Sequence, residues 1–340
     1  MKKTRAIEGF DLLKIIFIPP QAFYHYQEAF GLRFNDFNFY GGRYDPNVII
    51  NLLFMVSGFL ALHSLREDQQ LLGGFFKKII RLYPMAMLST AAALLIKSIA
   101  AEDLSVLWNL RALLSNFFLF FVGWPGFYTL GYNHPCWYLC VLIQCYMVFY
   151  LLMWLRRKVK ADWLLLSCAI VLLSMVLHKM SLLQYHSYRG IQAFFIGTVL
   201  CALKSKIPEK SKIALLIAVL SALLLAFVPE SRLRGEIFIF YPALVMLCAW
   251  KQGCFRERTS RNLSLLSTVS FDLYLWHSPV IFFIKMIERV RGHAFNHSLW
   301  TMLLFFIVSC IISWFIYNGL DKPINRWISA KISRKKELVS

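Results

Sequence analysis

Long apolar runs separated by short polar segments dominate this chain of 340 residues. Ten runs have about 17–25 residues, the length that a helix needs to cross roughly 30 Å of hydrocarbon. We predict an all-α polytopic membrane protein, with a short re-entrant or interfacial helix as an alternative for 108 to 122. The predicted spans are 9 to 30, 47 to 65, 83 to 101, 136 to 155, 162 to 178, 189 to 203, 213 to 228, 235 to 250, 263 to 286 and 299 to 320.

Composition and charge agree with this pattern. Hydrophobic residues make up 59% of the chain and charged residues 16%, which excludes an ordinary soluble globule. The net charge is +19, and 25 of the 37 Lys and Arg residues fall in segments that face the cytoplasm if the N-terminus does, against nine outside. Basic residues favour the cytoplasmic side. We therefore predict cytoplasmic termini, a multi-pass protein of the inner (plasma) membrane, and contacts of the cations with lipid but not with nucleic acid.

The chain is predicted to form one domain, residues 1–340. The longest outside stretches, 31 to 46 and 102 to 135, are too short for a further domain, and no repeat interrupts the spans. The first run is followed by Gln27-Glu28 and not by small residues, so we expect it to be retained as a helix. The eight cysteines form no Cys-x-x-Cys pair and the eight histidines are scattered, so we expect no metal site.

Ionisable residues inside predicted spans are the strongest functional signal. Such a side chain at membrane depth costs roughly 2.5–3.5 kcal/mol, so it usually faces a partner, a cavity or a substrate path. Lys14 and His25 are eleven residues apart, which is close to three helical turns and about 16 Å. This spacing suits a long anionic cosubstrate from the cytoplasm, with its phosphates near Lys14 and its reacting end near His25.

Simpler interpretations stay open for several of these residues. Lys14 is placed to pair with Asp11, and His25 could be an interior histidine with ordinary hydrogen bonds. Pro19-Pro20 is expected to bend the first span and change which faces align. Ser57-Gly58 suits close helix packing. Aromatic residues near the outer mouth suit either sugar stacking or an interfacial belt, and these are Trp124, Tyr128 and Trp137.

In chain order these features resemble the acyltransferase family 3 membrane proteins, which are acyl-CoA-dependent O-acyltransferases of surface glycans, lipids and antibiotics. The resemblance covers nearly the whole chain. It rests on Lys14 followed after ten residues by His25, and on Ser57-Gly58-Phe59, Arg81-Leu82-Tyr83-Pro84, Trp137-Tyr138-Leu139, Phe194-Phe195-Ile196-Gly197, Tyr274-Leu275-Trp276-His277 and Asp321-Lys322-Pro323.

The resemblance implies transfer of an acyl group, most often acetyl, from cytoplasmic acyl-CoA to a hydroxyl of a cell-surface or exported polysaccharide or glycolipid. His25 is then a general base or a transient acyl carrier, and Glu28 holds its tautomer unless it is simply an exposed carboxylate. His277 is expected to meet His25 at similar depth, and to orient the acceptor or stabilise an oxyanion. Expected donor contacts are Lys14, Arg81 and Tyr83, and expected acceptor contacts are Ser57, Trp137 and Trp276.

Four positions depart from the family pattern. Lys14 stands where Arg is common, Tyr138 and Leu142 stand where the family often has Ser and Glu, and Asp321 replaces Glu. These differences bear on the acceptor more than on the fold. A transporter or flippase for a glycan or lipid intermediate is the alternative class, although such proteins often contain inverted repeats and this chain shows no internal symmetry.

Overall fold

The computed structural model describes residues 7–34, 48–65, 71–101, 109–124, 129, 131–227, 236–251 and 253–337. Regular structure in these ranges is helical, without β-strands. The α-helices are α1 (Glu8–Phe17), α2 (Pro19–Phe30), α3 (Ile49–His63), α4 (Leu71–Ala101), α5 (Leu110–Phe117), α6 (Trp137–Val159), α7 (Trp163–Lys179), α8 (Tyr185–Lys204), α9 (Ser211–Phe227), α10 (Tyr241–Trp250), α11 (Glu257–Arg291), α12 (Leu299–Ile316) and α13 (Lys322–Glu337).

Each predicted span coincides with helix, so the all-α prediction is confirmed. By length and hydropathy, three helical stretches among the described residues can cross a membrane, namely Leu71–Ala100, His134–Val159 and Leu299–Lys331. Shorter apolar helices accompany them. The count of ten spans and the cytoplasmic position of both termini remain predictions. The third predicted span, 83 to 101, lies within a longer helix that begins at Leu71 and continues through Pro84.

The first predicted span is two helices. Ile18 keeps helical dihedral angles, with φ −76° and ψ −42°, but Pro19 and Pro20 occupy the first positions of α2 and have no N–H to donate, so the helical hydrogen bonding is interrupted there. Proline is tolerated there because the first helical N–H groups have no intrahelical acceptor. The two prolines thus interrupt the helical hydrogen bonding between Lys14 and His25, so the first predicted span is not one continuous helix.

The closest helix contact joins α3 to α8 through two glycines. A Cβ on Gly58 would lie 1.9 Å from the backbone oxygen of Phe194, and a Cβ on Gly197 would lie 1.9 Å from that of Met55. Neither position can hold a larger residue without moving a backbone. The packing role expected for Ser57-Gly58 is confirmed, as small residues let helices approach closely in membranes.

Helix α5 and the chain after it fold back into the bundle. The Tyr83 hydroxyl donates to the backbone oxygen of Phe117 at 2.6 Å. Leu119 and Phe121 are buried within the same hydrophobic cluster as α6. The described residues 109–122 therefore pack on the bundle through the end of this segment, and residues 102–108 lie outside the described part. A re-entrant or interfacial position of the helix remains a prediction.

Helix α11 is the centre of the arrangement and packs against α1, α2, α4 and α12. Its start is tied to α1 by the buried carboxylate of Glu8, which accepts hydrogen bonds from the Ser260 hydroxyl and from the backbone N–H of Phe255. α11 thereby carries its own residues into contact with both halves of the broken first span.

Substituting Gly58 with Ala should destabilise the bundle, because the added methyl group overlaps a backbone oxygen of α8. Overpacking of this kind costs about 1–3 kcal/mol. Thermal unfolding of the purified protein in detergent measures the effect. The matched control is Gly319→Ala, since a Cβ at Gly319 would have no neighbour within 4 Å. Equal unfolding temperatures for the two variants would contradict the close α3–α8 contact.

Candidate active site

Three imidazole rings meet where α2, α11 and the turn before α6 come together. The rings of His25 and His277 are stacked, with centroids 5.3 Å apart and planes at 21°. The ring of His134 lies 5.9 Å from that of His25. The expectation that His25 and His277 meet at similar depth is confirmed, and the two rings face each other inside the bundle instead of facing lipid.

His25 is oriented by the carboxylate of Glu28. Its Nδ1 lies 3.0 Å from Glu28 Oε2, across one helical turn of α2. A carboxylate accepts only, so Nδ1 carries the proton and Nε2 keeps its lone pair. The side chain of Glu28 is 44% exposed and that of His25 is 15% exposed. Glu28 is thus an exposed carboxylate at the mouth of the site, and it also fixes the orientation of the His25 ring. The two interpretations of Glu28 from the sequence are therefore compatible.

His277 lies deeper and is fully buried. Its Nδ1 lies 3.1 Å from the backbone oxygen of Leu273, one turn earlier in α11, so this nitrogen also carries the proton. The Nε2 atom is buried and has no hydrogen-bond partner among the residues that the structure describes. A buried acceptor without a partner is costly, so this nitrogen suits a group that enters the site with a hydrogen to donate.

The turn that carries His134 is fixed to α11 by side-chain hydrogen bonds. Asn133 Nδ2 donates to the backbone oxygen of Leu275 at 2.9 Å, and the Tyr274 hydroxyl donates to that of Pro135 at 2.8 Å. All four residues are buried. The relative positions of His134 and His277 therefore follow from the fold and not from ring contacts alone.

Sequence reasoning missed two histidines of this region, His134 and His186. His186 packs against Trp137 with ring centroids 4.6 Å apart, and its charge interacts with that of His134. Trp137 is only 4% exposed. Neither sugar stacking nor an interfacial belt describes it, because its face is covered by His186. The sequence feature that could have pointed to them is that both histidines lie at the predicted outer ends of helices.

Basic residues gather at the opposite, predicted cytoplasmic end. Lys14 Nζ lies 3.6 Å from Asp11 Oδ1, so the simpler pairing expected for Lys14 is present. Arg81 is exposed and lies close enough to Lys14 to repel it electrostatically. Asp321, in the Asp321-Lys322-Pro323 motif, is attracted to Arg81. Two cations from α1 and α4 thus share one region below the imidazoles.

Asp272 lies between the basic end and the imidazoles, and the sequence analysis gave it no role. It precedes His277 by five residues in α11 and is fully buried. Within the described ranges, neither carboxylate oxygen has a hydrogen-bond partner. Burial of an unpaired polar group is costly, so Asp272 marks a polar interior along this part of α11.

The other expected contacts lie elsewhere. The Tyr83 hydroxyl donates its hydrogen to the backbone oxygen of Phe117, so it cannot donate that hydrogen to a phosphate. Ser57 donates to the backbone oxygen of Leu53 at 2.8 Å and its Oγ lies 3.1 Å from the Tyr138 hydroxyl, so it serves helix packing. Trp276 points away from the imidazoles and lines an apolar groove. Trp124 packs on Phe120, and Tyr128 lies outside the described residues.

One histidine pair has the spacing of a helical metal site. His293 and His297 are four residues apart, but both lie in the loop before α12. His297 is already bonded to Tyr26 and Glu288. In the described part of the chain, no three His, Cys, Asp or Glu side chains come together as metal ligands.

The described helices thus bring His25, His134 and His277 together in a chain that is largely apolar. Residues 7–318 match the family model of the acyltransferase domain, Acyl_transf_3. That match covers most of the chain, and the chain belongs to this family of acyltransferases.

A curated relative comes from Bacillus subtilis (strain 168) and is named "Putative peptidoglycan O-acetyltransferase YrhL". It is 30% identical over 104 residues, which is 30% of this chain and 16% of the relative. The chain therefore matches about a sixth of the length of that relative. No solved structure matches the chain.

The different exposure of the histidines predicts a difference in chemical reactivity. Diethyl pyrocarbonate acylates the free nitrogen of a neutral imidazole, which requires access to that nitrogen. We expect His25 and His134 to be modified in the folded protein and His277 to be protected until the protein is unfolded. Peptide mass spectrometry measures the modification, with His293 in an exposed loop as the reactive control. Equal modification of His277 and His293 would contradict the buried position.

Proposed function

We propose that this protein is a membrane O-acyltransferase that moves an acetyl group from cytoplasmic acetyl-CoA to a hydroxyl of an extracytoplasmic glycan. The observation that carries the proposal is the stacked pair of His25 and His277, each with its Nδ1 occupied and its Nε2 available as an acceptor. Membership of the acyltransferase family supports the reaction type. The name of the Bacillus subtilis relative supports peptidoglycan as the first acceptor to test.

His25 acts as the general base. Its Nε2 takes the proton of the acceptor hydroxyl while the hydroxyl oxygen attacks the thioester carbonyl carbon of acetyl-CoA. The tetrahedral intermediate then collapses, the carbon–sulfur bond breaks, and the protonated imidazole returns the proton to the CoA sulfur. Glu28 stabilises the imidazolium that forms between these steps, because its carboxylate is held against Nδ1.

His277 orients the acceptor. In the tautomer set by Leu273, its Nε2 accepts a hydrogen bond and has no hydrogen to give to an oxyanion. Of the two roles that the sequence suggested, the hydrogen-bonding pattern supports orientation of a hydroxyl. A second sugar hydroxyl that donates to His277 would satisfy the buried nitrogen and place its neighbour beside His25.

The donor enters from the basic end of the bundle. Lys14 and Arg81 provide cations for the phosphates of CoA, and His25 lies on α2, the helix that directly follows α1, so the pantetheine arm would extend from α1 towards α2. Asp272 lies on this route and offers acceptors to the amide N–H groups of that arm. The acceptor approaches from the opposite side, past the exposed Glu28.

Substitution of His25 with Ala should lower acetyl transfer by about 100-fold to 10,000-fold, because general base catalysis is lost. The measurement is mass spectrometry of O-acetyl groups on the cell-surface glycan of cells that produce each variant, with membrane insertion checked in parallel. His293→Ala is the matched control, since His293 lies in an exposed outer loop. Normal acetylation by the His25 variant would remove the proposed base.

Substitution of Arg81 with Gln should raise the KM for acetyl-CoA about tenfold or more and change kcat little. A hydrogen bond to a charged group contributes about 1.5–3 kcal/mol, and 1.4 kcal/mol corresponds to a factor of ten. Steady-state kinetics of the purified protein with acetyl-CoA provide the test. Arg258→Gln is the control, because Arg258 is exposed at the start of α11. An effect on kcat alone would assign Arg81 a role other than donor binding.

A further inference from the structure

The residue after His25 attaches α2 to another part of the bundle. Tyr26 is 1% exposed, and its place next to His25 corresponds to a rotation of about 100° around the helix axis. Its hydroxyl lies 2.8 Å from Nδ1 of His297, in the loop before α12, and donates to Thr301 Oγ1 at 3.1 Å. Because adjacent residues of a helix move together, contacts that fix the Tyr26 hydroxyl also fix the direction of the His25 ring.

His297 is held in turn by the end of α11. Its Nε2 lies 2.7 Å from Glu288 Oε1, and this oxygen also accepts the backbone N–H of Phe295 at 2.8 Å. The side chains of His297 and Glu288 are 12% and 14% exposed. Phe30, one turn after Tyr26 in α2, stacks on the His297 ring with centroids 4.0 Å apart. One imidazole therefore joins α2, the end of α11 and the loop before α12.

The hydrogen bonds of this network have defined directions. The Thr301 hydroxyl donates to the backbone oxygen of Ser298 at 2.9 Å, so its oxygen receives the single hydrogen of the Tyr26 hydroxyl. The Tyr26 oxygen then accepts from Nδ1 of His297. A carboxylate only accepts, so Nε2 of His297 also carries a hydrogen and donates to Glu288. In this arrangement His297 is an imidazolium whose two N–H groups connect Glu288 to Tyr26.

The contact between His25 and His277 needs such a support. With both Nδ1 atoms occupied, the Nε2 atoms of the two rings are acceptors, so they cannot hydrogen-bond to each other. Apolar residues of α2, α11 and α12 form a buried cluster around Tyr26, but such packing is not directional. Glu288 follows His277 by eleven residues in α11, about 16 Å. The network thus gives α2 a second, directional attachment to the helix that carries His277.

We propose that Tyr26, His297 and Glu288 are positioning residues of the acid–base site, which hold α2 in the rotation that stacks the two rings. This inference rests on the proposed function, and it adds that the base is placed by a hydrogen-bond network outside the site. The network acts through His25, since the Tyr26 side chain faces the apolar groove. A displacement of about 1 Å at a catalytic group can lower a rate about 100-fold, so loss of this attachment would reach the chemistry.

Tyr26→Phe removes the hydroxyl and keeps the ring. We expect kcat to fall about 10-fold to 100-fold because His25 is no longer held in place, and the KM for acetyl-CoA to stay unchanged because the donor cations lie on α1 and α4. The measurement is release of CoA thiol from acetyl-CoA, with peptidoglycan as acceptor, per folded protein below the unfolding transition. Tyr185→Phe is the matched control, since Tyr185 is 51% exposed at the start of α8. Equal kcat for the two variants would overturn the inference.

Two substitutions of His297 separate its two hydrogen bonds. The amide nitrogen of Asn takes the position of Nδ1 and that of Gln the position of Nε2, so His297→Asn keeps a donor for Tyr26 and His297→Gln keeps one for Glu288. We expect kcat to fall about threefold in His297→Asn and about tenfold or more in His297→Gln, because the bond to Tyr26 is the one that reaches α2. His293→Asn, exposed in the same loop, should keep the native kcat. Equal losses in the two His297 variants would exclude the route through Tyr26.

The accessibility of His277 separates this inference from the proposed chemistry. Tyr26→Phe should raise the modification of His277 by diethyl pyrocarbonate about tenfold relative to His293, because the His25 ring is no longer kept over it. Continued protection of His277 in this variant would overturn the inference even if kcat fell. If His277 becomes exposed and His25→Ala still acetylates, the positioning stands and the catalytic proposal fails. If His277 stays protected and His25→Ala is inactive, the positioning fails and the catalytic proposal stands.

Discussion

Polar groups that are buried among apolar helices need partners, and this constraint determines how the centre of the bundle is built. α11 satisfies Nδ1 of His277 with its own Leu273 carbonyl, and α2 satisfies Nδ1 of His25 with Glu28. The orientation of each ring is therefore fixed by a hydrogen bond within its own helix, independently of the contact between the two helices. The stacked contact at 5.3 Å then brings together two nitrogens whose remaining capacity is to accept a proton or a hydrogen bond.

Pro19 and Pro20 divide the first predicted span into two helices, and each of them packs against α11. α1 is attached to the start of α11 through Glu8, and α2 packs against the middle of α11 through its histidine. The prolines that interrupt the first span thus let one long helix organise both the basic end and the imidazole centre.

Much of the fold and part of the site could be predicted from sequence. Helical segments follow from hydrophobic length, and the meeting of His25 with His277 follows from their similar distance from the cytoplasmic ends. The burial of Trp137 under His186 could not be predicted, because it depends on how α6 and α8 approach each other. The same holds for Tyr83, whose partner Phe117 belongs to a segment that folds back into the bundle.

The charges on the two sides of the imidazoles have the same sign but different surroundings. At the inner end, Arg81 is exposed to solvent and Lys14 is shared with Asp11, an arrangement that suits a soluble, polyanionic donor. At the outer end, Lys97 donates to the backbone oxygen of Tyr132, and Lys285 lies beside the ring of Phe30. In the proposed function, the exposed cation at the inner end therefore suits the phosphates of the donor, and the outer mouth beside Glu28 is left to the acceptor hydroxyl.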